Sequence, residues 1–506
     1  MEKKKKGGFI GKLFGRMSTA ASEEREKIDQ ELPFVVMIFT LLSASGVSPY
    51  DSWKKFSKLS FLPNFQKEAI EVIRQVEVLG KDPLTVMYLR AERTTSKIYR
   101  NFLGGFVSSV RSGGKMVDYL KSELKAMFEL RHNELTRSVE KVATLVEAYT
   151  VMLIVILCTY ILFVVFSSTG MSDLMAGSSL PTSPMMSYII AFLFMPILSL
   201  IFILIAHNMQ RSAFSDLKYI YKKAIIFLVV FGSIIIVFVA VPSISKATGP
   251  IGLPEIATIC VGLASVVPAI MYRKMSKVNY NAEDSIPHFI RDVTEAHKIG
   301  LSPEKSIVQA TKRKEYGGFQ KFLELVRSQI EWGVPLRKTF GNINKDIKSW
   351  FVTVNFAMLI ETIEIGGNSA QSLEILSEYS EKERELQINR RALLKPYIVL
   401  AFIWSALIAV TTTIVALTTY MMTTVVSNSL SGSAYMLMQD QMRMFSVGII
   451  VQCWISGFFI GKISEGNFGA GFQHSAMLAA TAYVSLVLSQ VFLSSIFGFT
   501  GTIRLM

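Results

Sequence analysis

Seven long apolar blocks constrain this chain more than any other feature of its sequence. A helix needs roughly 20 apolar residues to cross the hydrocarbon core of a bilayer, and a water-soluble domain could not bury so many long blocks. Hydrophobic residues make up 51% of the 506 positions and charged residues 18%. The chain is therefore predicted to be an all-α, polytopic membrane protein with about seven transmembrane helices. The predicted spans are 148–167, 188–206, 224–241, 256–272, 397–419, 445–460 and 477–497.

The sixth block is the least regular of the seven. It is short and contains Gly448, Gln452 and Gly457, so a re-entrant or tilted element is the alternative to a full span. Polar groups in or beside lipid are expected to face the protein interior. This expectation applies to Glu147, Gln452 and Gln490.

The distribution of Lys and Arg predicts the orientation, because these residues are retained on the cytoplasmic side. The N-terminus begins with four lysines at 3–6 and is placed inside. With alternating spans, the connections 168–187, 242–255 and 420–444 and the tail from 498 fall outside, and they contain only Lys246, Arg443 and Arg504. The N-terminus and both large polar regions are thus expected in the cytoplasm, and the C-terminus outside the cell membrane.

The polar regions between the blocks have the apolar periodicity of helices. The expected segments are a basic amphipathic N-terminal segment at 1–30, a helical domain at 31–147, four transmembrane helices at 148–272, a second helical domain at 273–396, and three transmembrane helices at 397–506. A disordered basic tail is the alternative for the N-terminal segment.

The two polar regions share a pattern of turn residues, which indicates an internal duplication. At a spacing of 254, Pro33, Gly46 and Pro49 recur as Pro287, Gly300 and Pro303, and at 253 the pair Gly113 and Gly114 recurs as Gly366 and Gly367. In both copies, a Ser before the second Pro (Ser48 and Ser302) is expected to cap a helix with Pro at its first position. We therefore predict two homologous cytoplasmic helical bundles.

These residues resemble a known family. The Pro-led helix, the Gly-x-Ser-Pro turn, and the sequences Arg-Ser-Gly-Gly at 111–114 and Glu-Ile-Gly-Gly at 364–367 are similar to the duplicated F-type domain of type II secretion and type IV pilus platform proteins. The resemblance spans nearly the whole chain, in the order domain, membrane helices, domain, membrane helices. Bacterial members have fewer than seven spans, so the layout looks like the archaeal branch, which includes the archaellum platform protein.

The resemblance implies a function without catalysis. Such a platform lies beneath a growing filament, binds a hexameric cytoplasmic secretion ATPase, and helps to insert pilin-like or archaellin-like subunits. It is compatible with a homodimer or a similar small assembly. The filament served could be an archaellum, a pilus or a related secretion machine.

Two turns are candidate docking sites for that ATPase. They contain Arg111, Gly113 and Gly114 in the first repeat and Glu361, Glu364, Gly366 and Gly367 in the second. A helix break that requires a positive φ would explain the glycine pairs without any partner. The two glutamates share one helix face, which suits docking as well as plain solvation.

A formal net charge of +14 indicates anionic lipids or acidic protein surfaces as partners, and nucleic acid is not expected for a polytopic protein. A candidate basic rim near the membrane consists of Arg211, Lys222, Lys223, Arg273, Lys274, Arg390 and Arg391. These residues would contact lipid phosphates and fix the topology, or they would receive an acidic ATPase surface.

No catalytic residue, cofactor or metal site is expected. The five histidines lack the ligand spacing of a metal site, and the Gly-rich sequences at 7–12 and 457–464 lack the spacing of a phosphate-binding loop. The alternative functions are a multi-span transporter or permease and a membrane-bound enzyme. A transporter would carry its repeat in the membrane and ionisable groups at mid-span, and neither is visible here.

Overall fold

The computed structural model describes residues 25, 27–29, 31–59, 62–168, 189–209, 218–240, 252–313, 315–365, 369–427 and 432–496. Throughout these ranges the regular secondary structure is helical, without a strand. This confirms the predicted all-α class.

The first eight helices lead from the first polar region into the first group of apolar blocks. They are α1 (31–44), α2 (Pro49–Phe56), α3 (Pro63–Glu77), α4 (Pro83–Arg93), α5 (Lys97–Arg111), α6 (Met116–Ser168), α7 (Met195–Met209) and α8 (Lys218–Ala240). A π-helical turn, Ile190–Phe194, precedes α7.

The second half of the chain repeats this order. Its helices are α9 (Leu253–Lys298), α10 (Pro303–Thr311), α11 (Gln320–Glu331), α12 (Leu336–Asp346), α13 (Trp350–Ile365), α14 (Ser369–Ser427), α15 (Gly432–Glu465) and α16 (Phe468–Ile496). The final turns of α9 and the helices α10 to α14 correspond in order and spacing to α1 through α6. Each copy therefore has six helices, and the sixth continues into an apolar block.

The first turn of each copy is built as the sequence predicts. Gly46 and Gly300 adopt φ values of +83° and +94°, which side chains with a Cβ rarely adopt. Ser48 Oγ accepts the backbone N–H of Asp51 at 3.1 Å, and Ser302 Oγ accepts that of Lys305 at 3.4 Å. Both serines thus cap a helix whose first residue is Pro.

A second duplicated contact fixes the fifth helix of each copy. Ser96 caps α5 by accepting the N–H of Tyr99 at 3.0 Å, and it donates its hydroxyl proton to Asp29. In the second copy Ser349 donates to Glu283 at 2.7 Å. Asp29 and Glu283 are 254 positions apart, so an equivalent carboxylate holds the start of the fifth helix in both copies.

The chain divides into two compact units. The first unit contains Met1–Leu135 and Val278–Gln387, and the second contains Thr136–Lys277 and Ile388–Met506. The boundaries between the units fall inside the long helices α6, α9 and α14. The polar parts of both copies therefore belong to one unit.

Within the first unit, the two copies share one hydrophobic core. The ring of Phe34 lies 4.1 Å from that of Trp350 and 5.7 Å from that of Tyr379. Ser45 Oγ lies 3.0 Å from Ser372 Oγ, within hydrogen-bond distance. Helix α1 of the first copy is thus packed against α13 and α14 of the second.

Six described helices are long and apolar enough to cross a membrane. The candidate spans are Met116–Leu162, Phe192–Met209, Leu253–Lys298, Ala370–Val415, Arg443–Glu465 and Phe468–Phe492. Helix α8 covers nearly all of the remaining predicted block, 224–241. The irregular sixth block lies within one continuous helix, α15.

The polar residues of the blocks differ in their burial. Gln452 is 2% exposed and donates from Nε2 to Ser199 Oγ at 2.7 Å, which confirms its inward orientation. Glu147 is exposed, so the expectation that it faces inward is wrong. It lies immediately before the apolar block at 148–167, where a carboxylate can remain hydrated.

Glycines allow α15 and α16 to pack closely in the second unit. A Cβ added to Gly457 would lie 2.2 Å from Ser475 Cα, and one added to Gly461 would lie 2.3 Å from Gly471 Cα. Only hydrogen fits at these positions, so Gly457 in the sixth block and Gly461 just after it are required for helix packing.

Candidate functional site

The candidate turn of the first repeat is an exposed helix terminus. Gly113 has a φ of +69°, and its N–H donates to the carbonyl of Val110 at 3.2 Å, while that of Gly114 donates to Ser109 at 3.0 Å. These bonds satisfy the last carbonyls of α5. The glycines are explained by this termination, and Arg111 is left exposed at the surface.

The two glutamates of the second repeat are held by an arginine that the sequence alone did not identify. Arg337 of α12 donates from Nε to Glu364 at 3.0 Å and from Nη2 to Glu361 at 2.5 Å. Glu361 is 7% exposed, and Lys55 Nζ lies 3.8 Å from its second oxygen. Hydrogen bonding to Glu364 raises the pKa of Arg337 further above its ordinary value. The neighbouring Gly366 and Gly367 lie outside the described residues.

The rim residues are distributed over three helices of the second unit. Lys222 and Lys223 lie on α8, Arg273 and Lys274 on α9, and Arg390 and Arg391 on α14, whereas Arg211 lies outside the described residues. Lys222, Arg273, Lys274 and Arg391 are exposed, and the other two are partly buried.

Two tyrosines that are next to rim residues in sequence, Tyr221 and Tyr272, contact the region of the α15–α16 turn. Tyr221 and Tyr272 pack with Ala470 at the start of α16. Tyr272 donates its hydroxyl proton to Glu465 at 2.9 Å. Arg390 Nη2 lies 3.5 Å from the position that a Cβ of Gly466 would occupy. The rim therefore meets a turn that sequence reasoning did not single out.

A pair of exposed apolar residues was also missed by sequence reasoning. Leu79 is 58% exposed and Trp332 is 85% exposed, and each directly precedes a turn glycine of its repeat. The two positions are 253 apart, as are the equivalent turn residues. Applying the repeat spacing to apolar residues next to turns would have found them. We call Leu79 and Trp332 the apolar tips.

We also searched the described ranges for a metal-binding site. Within them, no group of three or more His, Cys, Asp or Glu side chains could hold a metal ion.

Comparison with known proteins identifies the repeat. A sequence model of the family described as "Type II secretion system (T2SS), protein F" matches twice, at residues 36–164 and 289–417. An uncharacterised protein of Methanocaldococcus jannaschii is 22% identical over 492 residues, which cover 92% of this chain and 80% of that protein. No solved structure matches the chain. Because the two family matches cover half of the residues and coincide with the six-helix copies, the chain belongs to the type II secretion system protein F family.

Proposed function

We propose that this protein is the membrane assembly platform of an archaeal type IV pilus-like filament, either an archaellum or a pilus, or of a related secretion machine. In this function it couples a hexameric cytoplasmic secretion ATPase to the insertion of pilin-like subunits and catalyses no reaction itself. The observation that carries the proposal is the double family match, one on each six-helix copy. The archaeal relative supports the archaeal form of the machine.

The proposed orientation places both polar regions in the cytoplasm and the C-terminus outside. The support for it is the scarcity of Lys and Arg in the connections that would face outward. In this orientation the first unit is accessible to a cytoplasmic ATPase.

The surface of the first unit supports a protein partner. Trp is enriched at the centres of protein interfaces, yet Trp332 is 85% exposed here. The repeat places a second exposed apolar residue, Leu79, at the equivalent turn. Two equivalent contacts suit a partner that is itself built from identical subunits. We propose that the ATPase contacts the apolar tips, with Arg111 as a charged contact.

Co-purification tests this function. The full-length protein is extracted from its native membrane with a mild detergent, and the bound proteins are identified by mass spectrometry with and without nucleotide. Recovery of a secretion ATPase and pilin-like subunits is expected. The double variant Leu79→Ser/Trp332→Ser should retain at least several-fold less ATPase, because a Trp at a binding hot spot contributes about 2 kcal/mol or more.

The matched control is Ile299→Ser. Ile299 is 79% exposed and apolar, but its repeat counterpart is Ser45, so it is not a duplicated feature. This variant should bind the ATPase as the unchanged protein does. Recovery of a folded protein with no secretion ATPase and no pilin-like subunit would contradict the proposed function.

A further inference from the structure

Two basic side chains of the second unit lie against the same residue of the α15–α16 turn. Lys462 is 1% exposed, and its Nζ donates to the carbonyl oxygen of Gly466 at 2.5 Å. Arg390 Nη2 lies 3.5 Å from the position that a Cβ of Gly466 would occupy. Two positive charges therefore meet at one glycine, one of them buried and the other partly buried.

The Arg390 guanidinium has no anionic partner in the part of the chain that the structure describes. It is only partly exposed, and it forms neither a hydrogen bond nor an ion pair with any described residue. Glu465, which directly precedes Gly466, instead accepts a hydrogen bond from the hydroxyl of Tyr272 and forms no ion pair with another described residue.

A partly buried cation without a partner is costly, so the Arg390 guanidinium favours an anion that the described residues do not supply. Arginine presents several N–H donors in a planar fork, which matches the oxygens of a phosphate group. Helix α16 begins at Phe468, two residues after Gly466, and a helix N-terminus adds backbone N–H groups and a partial positive charge. We propose that Arg390, Lys462 and the start of α16 bind one phosphate group.

The place of the site in the chain indicates a lipid headgroup as the source of that phosphate. Arg390 precedes the apolar block 397–419, and Lys462 follows the block 445–460, so both lie at the ends of predicted spans. Phospholipid headgroups lie at this level of a membrane, and Tyr side chains such as Tyr272 are enriched there. This proposal does not depend on the platform function.

Native mass spectrometry of the full-length protein tests the site. The protein is purified and delipidated in a neutral detergent, then titrated separately with phosphatidylglycerol, phosphatidylcholine and inorganic phosphate. The unchanged protein should bind phosphatidylglycerol about tenfold more tightly than phosphatidylcholine. Arg390→Gln should remove most of that preference, and Arg390→Lys should retain part of it.

The control is Lys277→Gln, which removes the same charge from an exposed position on α9. It should leave the preference unchanged. Arg390-dependent binding of inorganic phosphate would support the phosphate site and assign its source to free phosphate instead of lipid. Equal losses in Arg390→Gln and Lys277→Gln would overturn the proposal, because they would show a general effect of charge.

A measurement on the unchanged protein covers the case in which Arg390→Gln does not fold. The thermal midpoint of the delipidated protein should rise more with phosphatidylglycerol or inorganic phosphate than with phosphatidylcholine, whose choline cation offsets the charge of its phosphate. If neither anion binds preferentially and neither raises the midpoint, the site does not exist.

Discussion

Two glutamates of α13, Glu361 and Glu364, share one arginine partner. Glu361 and Glu364 lie on one helix face and look like a docking patch from the sequence. In the structure both accept hydrogen bonds from Arg337, which precedes them by more than twenty residues. Glu361 is buried, whereas the Arg337 side chain is 55% exposed, so Arg337 holds a buried carboxylate from the surface of the first unit.

We expect Arg337→Ala to reduce the free energy of unfolding by about 1–3 kcal/mol, because the buried Glu361 carboxylate loses a charge-assisted hydrogen bond. The control is Arg327→Ala. Arg327 pairs with Glu331 at 3.5 Å, but both side chains are more than 40% exposed. Its loss should cost less than about 0.5 kcal/mol. Chemical denaturation of both variants measures the difference, and equal losses would contradict the assignment.

Glu31 gives a prediction about pH. Burial raises the pKa of Glu31 above its ordinary value of 4.5, although donors including the N–H groups of Phe65 and Asn64 oppose the shift. The folded protein therefore keeps this proton to a higher pH than the unfolded chain does. Glu31 accordingly lowers the stability as the pH rises from about 4.5 through the folded pKa.

The variant Glu31→Gln should remove this contribution to the pH dependence, since its amide does not titrate. Thermal midpoints of both proteins between pH 4 and pH 7 provide the measurement. The midpoint of the unchanged protein should fall relative to that of Glu31→Gln as the pH rises. A constant difference between the two proteins would show that the carboxyl has the same pKa in both states.

At the scale of helices, the pairing of α15 with α16 depends on glycine. Gly448, Gln452 and Gly457 make the sixth apolar block look irregular, and sequence alone left open a re-entrant element. The structure has a continuous helix there, and Gly457 and Gly461 allow the backbone of α16 to approach. The irregular composition reflects a close helix contact.

Gly461→Val should destabilise this helix pair by about 3 kcal/mol or more, because its Cβ would overlap the backbone of Gly471. Gly262→Val is the control, since a Cβ at Gly262 on α9 meets no atom within 4 Å. Gel filtration and thermal unfolding in detergent compare the two variants. A monodisperse Gly461→Val protein with an unchanged midpoint would contradict the close packing.

The local features of the fold were predictable because they depend on residues that are near one another in sequence. The Ser48 and Ser302 caps follow from a Ser-Pro pair, and the bend at Gly46 follows from its position between helices. The packing of Phe34 against Trp350 was not predictable, since it joins residues more than 300 positions apart. The sequence placed Arg390 in a basic rim, but its proximity to Gly466 was not predictable either, because the two residues come together only in the folded chain.

For the whole molecule, duplication accounts for the main architecture. Two copies of a six-helix unit place their polar helices in one compact unit with a shared core. The family model matches once on each copy, so the unit that is duplicated in this chain is the family's own domain. The proposed platform function depends on how the two copies are oriented to the membrane.

Cysteine labelling tests that orientation. In a variant without Cys158, Cys260 and Cys453, we expect Ser108→Cys and Ser328→Cys to react with a membrane-impermeant maleimide only after permeabilisation. Both residues are exposed on the first unit, one in each copy. A cysteine at Ser245, in the connection predicted to face outward, should react in intact cells. Labelling of the first two positions in intact cells would reverse the topology.

Deletion of the gene in its own organism tests the platform function most directly, with electron microscopy of the cell surface and mass spectrometry of the secreted proteins as readouts. If the protein is the platform, the deletion strain should lose one class of surface filament or one set of secreted proteins. The full-length gene should restore it. Pilin-like precursors should remain in the membrane of the deletion strain. Unchanged filaments and unchanged secretion in that strain would contradict the platform function and favour the alternative of a solute transporter.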